Sequence, residues 1–206
     1  MSVAIIDYDA GNLDSVKRAV EKCGGKPFIA KEASSLKQAS HIILPGVGVF
    51  SEGMKKLNEK GFTQAIKEQT IDRKVPFLGI CLGMQLLAER GTEFVETKGL
   101  GLVKGEVIRL NSKQNERIPH IGWNQVIFKK QTLIFEGITT GKDFYFVHSY
   151  HFVPTDKDDT VAVTPYCGEF VSSVCVNNIF GVQFHPEKSH KNGFKLLKNF
   201  LCLKSE

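Results

Sequence analysis

Apolar runs and amphipathic stretches alternate along the first half of the chain. "VAIIDY" (3–8) is a short apolar run. "LDSVKRAVEKC" follows, with Leu13, Val16, Val20 and Cys23 at helical spacing and Gly24-Gly25 as a stop. "KPFIA" (26–30) reads as a second strand, and "SSLKQA" as a short helix opened by a serine cap. "HIILPG" (41–46) is a third strand, and "SEGMKKLNEKGFTQAIKEQ" is helical with a break near Gly61. "VPFLGI" (75–80) is a fourth strand and "GMQLLAER" a fourth helix. Apolar strands alternating with amphipathic helices predict an α/β fold: a doubly wound, mostly parallel central sheet flanked by helices.

After Thr97 the period changes. "GEVIRL", "WNQVIF", "DFYFVHSYHFV", "TVAVTPY", "FVSSVCV" and "IFGVQF" read as strands with no long helix between them. Asn177-Asn178 has the character of a hairpin turn. "NGFKLLKNFLCL" closes the chain as a helix with Phe194, Leu197, Phe200 and Leu201 on one face. No repeat or linker interrupts the sequence, so residues 1–206 are expected to form one domain whose second half is mixed or antiparallel.

Charge and composition narrow the function classes. The formal net charge is +5, but the basic residues are scattered and mixed with acids, the longest clusters being pairs such as Lys55-Lys56 and Lys129-Lys130. A nucleic-acid partner is therefore not expected. No apolar run reaches the ~18 residues of a membrane helix, and "MSVAIIDYDAGN" has neither a basic leader nor a cleavage site. The expectation is a cytoplasmic chain with no membrane association. The five cysteines lack short CxxC spacing and are expected as free thiols. Cys167, Cys175, His185 and His190 do not fall into paired ligand spacing, so no metal is expected, nor any other cofactor.

Three short stretches carry candidate chemistry. Cys81 lies in Gly-x-Cys-x-Gly, where the fourth strand turns into a helix. Two glycines without Cβ atoms allow a tight corner, and strand carboxyl ends are where ligands gather in such sheets. A helix N-terminus there favours a thiolate. Taken alone, the pattern suits a buried core cysteine equally well. A thiolate nucleophile needs a base and a group to orient it. "FGVQFHPEKS" supplies His185 and Glu187, two residues apart and so on one side of an extended chain, with Pro186 holding His185 extended. By itself this stretch also suits a strand ending in a polar turn. Pro45-Gly46-Val47-Gly48 follows the third strand and could aim backbone N–H groups at an oxyanion, or be a plain glycine-rich loop.

Together, and in this order and spacing, "PGVG", "GICLGMQLL" and "FGVQFHPEKS" resemble the class I (triad) glutamine amidotransferases over the whole chain. "IIDYDAGNLDSV", "KGLGLVKGEVIRL", "IPHIGWNQV" and "FYFVHSY" resemble the glutaminase subunits of two-chain members of that family. Asp9 stands where the family usually has glycine. The resemblance implies hydrolysis of L-glutamine through a γ-glutamyl thioester. Cys81 would be the nucleophile, His185 the general base and acid, and Glu187 the orienting carboxylate. Val47, Gly48 and Leu82 would form the oxyanion hole. Gly46, Gln85, Glu93, Ser149 and Tyr150 would hold glutamine, with Glu93 on its α-ammonium group. His120, Trp123 and Tyr145 would face a (β/α)8-barrel cyclase subunit in a heterodimer. That cyclase uses the channelled ammonia to make imidazole glycerol phosphate and an aminoimidazole carboxamide ribotide in histidine biosynthesis. Rival readings are a paralogue supplying ammonia for amidation of a bacterial surface sugar, and a stand-alone cysteine hydrolase of similar fold. A non-catalytic binding module would need no nucleophile.

Overall fold

A computed structural model describes residues 1–113 and 115–204. In chain order the first half contains β1 (Ser2–Ile6), α1 (Leu13–Lys22), β2 (Lys26–Ala30), β3 (His41–Gly46), α2 (Phe50–Glu59), α3 (Phe62–Lys67), β4 (Phe77–Cys81) and α4 (Leu82–Gln85). The second half contains β5 (Arg90–Gly91), β6 (Thr97–Lys98), β7 (Gly105–Arg109), β8 (His120–Phe128) and β9 (Lys142–His148). It continues with β10 (Tyr150–Pro154), β11 (Thr160–Thr164), β12 (Phe170–Val176), β13 (Ile179–Val182) and α5 (His190–Leu201).

Nine strands form one sheet in the order β2-β1-β3-β4-β13-β12-β11-β8-β9. The first five are parallel, and every pairing from β13 to β9 is antiparallel. The expected doubly wound α/β sheet with a mixed second half is thus observed. A smaller sheet, β10-β7-β5-β6, covers one end.

Both faces of the parallel half are buried, which is why its strands read as continuous apolar runs. Val3 and Ile5 of β1, Ile43 of β3, and Leu78 and Ile80 of β4 face one way, onto Val16 and Val20 of α1 and Leu197 and Phe200 of α5. Ala4, Ile6, Ile42, Leu44 and Phe77 face the other way, onto Met54, Leu57, Phe62 and Ile66 of α2 and α3. The hairpin turn at Asn177-Asn178 joins β12 to β13 with Val176 opposite Ile179. Asn178 Nδ2 donates to the carbonyls of Thr70 and Val75, tying that turn to the entry of β4.

Two local expectations change, and the Asp9 departure gains a setting. Residues 33–38 form a 3-10 turn entered from Glu32 with no side-chain cap, because Ser35 Oγ bonds back to the Glu32 carbonyl. Asp9 takes φ 60, in the left-handed region that favours glycine. Its carboxylate pairs with Lys60 Nζ at 2.8 Å, and this hydrogen bond holds it below the usual carboxylate range. The helix after Cys81 is a single turn, Leu82–Gln85, not the eight residues its apolar pattern suggests. The segment 99–103 folds back onto it, and the N–H groups of Leu100, Leu102 and Val103 take the carbonyls of Leu86 and Leu87.

The corner between β4 and α4 is a close backbone contact. A Cβ on Gly83 would lie 1.8 Å from the Leu44 carbonyl oxygen, and one on Gly79 would lie 2.5 Å from the Gly83 oxygen. Both obstacles are main chain, so neither can rotate away. Gly83→Ala should therefore cost roughly 3 kcal/mol and lower Tm by roughly 6–12 °C. A wild-type Tm in that variant would contradict the packing described.

Candidate active site

The parallel register sets the site. Gly46 pairs with Cys81, and Val182 pairs with Ile80. The carboxyl ends of β3, β4 and β13 therefore lie side by side, each followed by one of the three motifs. Cys81 has φ 55 and ψ −110, a strained conformation for a residue with a side chain, worth on the order of 1–3 kcal/mol. The glycines beside it serve close approach, while the cysteine itself takes the unusual torsion and is turned toward a cavity. With only one helical turn behind it, the macrodipole at Cys81 is small. What the turn supplies are the free N–H groups of its first residues.

That cavity, of about 380 Å³, is lined by Val47, Gly48, Val49, Cys81, Leu82, Gln85, Glu93, Val147, His148, Ser149 and Tyr150. It brings together the residues expected of an oxyanion hole and most of those expected to hold glutamine. Gly46 is the exception: it lies behind the wall, pressed against the hydroxyl of the buried Tyr8, which a Cβ would meet at 2.1 Å. One Glu93 oxygen accepts from Phe50 N–H at 2.8 Å.

His185 is buried, and its Nδ1 meets Glu187 Oε1 at 2.8 Å. The carboxylate does not arrive by strand alternation. Residues Pro186–Lys188 form a 3-10 turn that brings it back to the ring. Ser189 locks this turn: its Oγ donates to the His185 carbonyl at 2.6 Å and accepts from Tyr145 N–H at 3.0 Å. A Cβ on Gly193 would meet the Pro186 oxygen at 1.9 Å, so α5 also presses on the turn. Burial disfavours the imidazolium, but the nearby Cys81 sulfur and the charged Glu187 carboxylate bonded to Nδ1 outweigh it and push His185 up to about 10. Stability from this interaction is fully present below the ordinary histidine value of 6.5 and lost as pH rises through about 10.

Two buried residues extend the site beyond what sequence patterns indicated. Gln183 donates from Nε2 to Cys81 Sγ at 3.7 Å, and Ser189 acts as above. Both stand inside "FGVQFHPEKS", where only their position in the motif hinted at them. His120, expected on the partner face, is instead buried, with only 3% exposure. Its Nδ1 bonds His148 Nε2 at 3.1 Å, and it stacks on Tyr166. A bulky side chain next to Phe146 and Phe170 gains more by turning into this aromatic cluster. Trp123, 48% exposed, stacks on His190 and meets Tyr145 edge-on across the β8–β9 pair. Burial pushes His120 down to about 4 and His148 down to about 3, so both rings are neutral near pH 7. Among the described residues no cluster of three or more His, Cys, Asp or Glu could hold a metal ion, and no helix is long and apolar enough to cross a membrane.

A cysteine on a strained strand-to-helix corner, a buried His–Glu pair and a glycine-rich turn lie at the carboxyl ends of adjacent strands in an α/β fold, an arrangement suited to cysteine-dependent amide chemistry. Residues 4–203 match the glutamine amidotransferase class-I family, and the chain belongs to it. It is 49% identical over 201 residues to imidazole glycerol phosphate synthase subunit HisH 1 of Campylobacter jejuni (strain RM1221), covering 98% of this chain and 100% of that one. It is 50% identical over 199 residues to imidazole glycerol phosphate synthase subunit HisH of Pyrococcus furiosus, covering 96% and 97%. Among solved structures, PurLQS from Thermotoga maritima matches with a TM-score of 0.73 at 20% identity, covering 97% of each chain, a likeness of fold.

The His185 environment predicts a signature. Imidazole ¹⁵N shifts should report a protonated His185 at pH 8 in the wild type. In Cys81→Ala and in Glu187→Gln, each lacking one group that favours the cation, the ring should lose its proton at lower pH. A ring already neutral at pH 8 in the wild type would contradict the assignment.

Proposed function

We propose that this chain is the glutaminase subunit of an imidazole glycerol phosphate synthase, releasing ammonia from L-glutamine for a (β/α)8-barrel cyclase partner in histidine biosynthesis. The observation that carries the reading is Cys81 on the wall of a cavity large enough for glutamine, with the buried His185–Glu187 pair at the end of the adjacent strand, in a chain about half identical, over nearly its full length, to two such subunits.

The chemistry follows from the groups present. The Cys81 thiolate attacks the side-chain amide carbon of glutamine, and the oxygen gains negative charge. Leu82 and the Val47–Gly48 turn line the cavity, and their N–H groups are the donors available to that charge once the turn is in its active state; one such donor is typically worth about 3 kcal/mol of barrier. As the C–N bond breaks, His185 gives its proton to the departing nitrogen, and ammonia leaves a γ-glutamyl thioester on sulfur. Neutral His185 then takes a proton from water, whose oxygen attacks the thioester. Glutamate departs and the thiolate–imidazolium pair is restored. Glu187 holds the imidazole through Nδ1 and balances its charge at both stages. Gln85 and Glu93 suit the α-amino end of the substrate, and main chain at Ser149 and Tyr150 suits its carboxylate.

Trp123 and Tyr145, opposite each other on β8 and the edge strand β9 near the His185 turn, suit a docking face for the barrel. The oxyanion turn is built to change state. Val47 is half exposed, and Gly48 has φ 112 with open space where a Cβ would lie. A peptide flanked by glycines reorients at low steric cost, and moving it from 1:99 to 99:1 needs about 5.5 kcal/mol of differential binding. Glutamate release should be slow for the chain alone and rise by orders of magnitude when barrel and nucleotide acceptor are added together. Equal rates for the chain, the complex and the complex with acceptor would refute this coupling and favour the stand-alone hydrolase.

A further inference from the structure

Gln183 is fully buried one step beyond the β13–β4 pairing, beside Cys81. Its orientation is dictated from outside. The Tyr150 carbonyl is an acceptor only, so the group 2.8 Å from it must be the Nε2 of Gln85. That same nitrogen lies 3.0 Å from the Gln183 side chain, which must therefore turn its oxygen toward Gln85. The remaining nitrogen of Gln183 is left facing Cys81 Sγ at 3.7 Å.

The Tyr150 carbonyl is itself fixed. His148 Nδ1 donates to it at 2.9 Å, which leaves His148 Nε2 to accept from His120 Nδ1 at 3.1 Å. His120 Nε2 then accepts from Asn124 Nδ2 at 3.3 Å, and the amide of Asn124 is set by Gln125 N–H on its oxygen at 2.8 Å. Every donor in this chain has one permitted direction, and the directions agree from both ends.

We propose that Gln183 is a further residue of the glutaminase site, an N–H donor aimed at the reacting sulfur and held in that orientation by Gln85. The contacts of the sulfur show why such a donor matters. As a thiol, Cys81 donates to the Val147 carbonyl at 3.8 Å. As a thiolate it has nothing to give that oxygen, and Gln183 and His185 are the groups left to stabilise it. His185 hands its proton to the departing nitrogen midway through the reaction. Gln183 keeps its N–H throughout, both when the thiolate attacks and when it leaves the thioester.

This inference rests on Cys81 being the nucleophile, and its test separates the two. Gln183→Met preserves volume and removes the donor. Iodoacetamide labelling of Cys81 at fixed pH, read by peptide mass spectrometry, should slow about tenfold to a hundredfold, the range for a hydrogen bond to a charged group. The kcat for glutamate release should fall by a similar factor, while KM changes by less than about twofold and labelling of the exposed Cys202 is unchanged. Gln183→Glu keeps the acceptor for Gln85, offers no N–H and should be slower still. Unchanged labelling and kcat in folded Gln183→Met would overturn the proposal. So would faster Cys81 labelling with a lowered Tm, the mark of a packing role. In the otherwise unaltered chain, the Gln183 side-chain amide resonance should move when Cys81 is replaced by alanine, and an unmoved signal would also contradict it. If Cys81→Ala retained glutaminase activity, the nucleophile assignment itself would fall. A dead Cys81→Ala beside an unaffected Gln183→Met would sink only the role of Gln183.

Discussion

The parallel register of three adjacent strands is the constraint on which the site depends. Gly46 opposite Cys81, and Val182 opposite Ile80, bring the ends of β3, β4 and β13 to one line. Each strand then releases its chain into a turn: the oxyanion candidate from β3, the nucleophile candidate from β4, the histidine and carboxylate from β13. A slip of one residue in either pairing would send alternate side chains to the other face. Gln183 would then lose its place beside the Cys81 sulfur. Backbone contact enforces the register locally, since Gly79 and Gly83 let the turn after Cys81 rest on the main chain of β3.

The same geometry explains how a strained residue and a buried charged pair are maintained. Cys81 at φ 55 is held by close contact on both sides. His185 and Glu187 lie out of water, where each charge alone would be costly. Their 2.8 Å contact, together with the sulfur on the other side of the ring, offsets burial. Rigid support arrives from β9 through Ser189 and from α5 through Gly193. The Val47–Gly48 turn borders the cavity, and a Cβ on Gly48 would meet open space.

Much of this was legible in the sequence because its signals are local. Apolar strands at 26–30 and 41–46, the break at Gly61 and the Asn177-Asn178 hairpin depend on neighbours along the chain. The Gly-x-Cys-x-Gly corner likewise needs only short-range sterics. What was not legible depends on contacts far apart in sequence. β13 lies beside β4 about a hundred residues after it, so nothing near Gln183 announces that it faces Cys81. The helix after Cys81 has the apolar pattern of a longer one, and it ends where residues 99–103 fold back and take the carbonyls of Leu86 and Leu87 just beyond it. His120 lies in a stretch that suggested a surface, yet its aromatic neighbours come from β9, β12 and the loop holding Tyr166. Glu187 does reach His185, though through a 3-10 turn that a two-residue spacing cannot distinguish from an extended chain.

The central claim is that this register presents Cys81 as a covalent nucleophile toward the side-chain amide of glutamine. Acid quenching during turnover, followed by intact-mass and peptide mass spectrometry, tests it directly. The account predicts an adduct on Cys81 with the mass of glutamine less ammonia, discharged by hydroxylamine and absent from Cys23, Cys167, Cys175 and Cys202. Glutamate formed with no adduct on Cys81, or with the adduct on another residue, would contradict it.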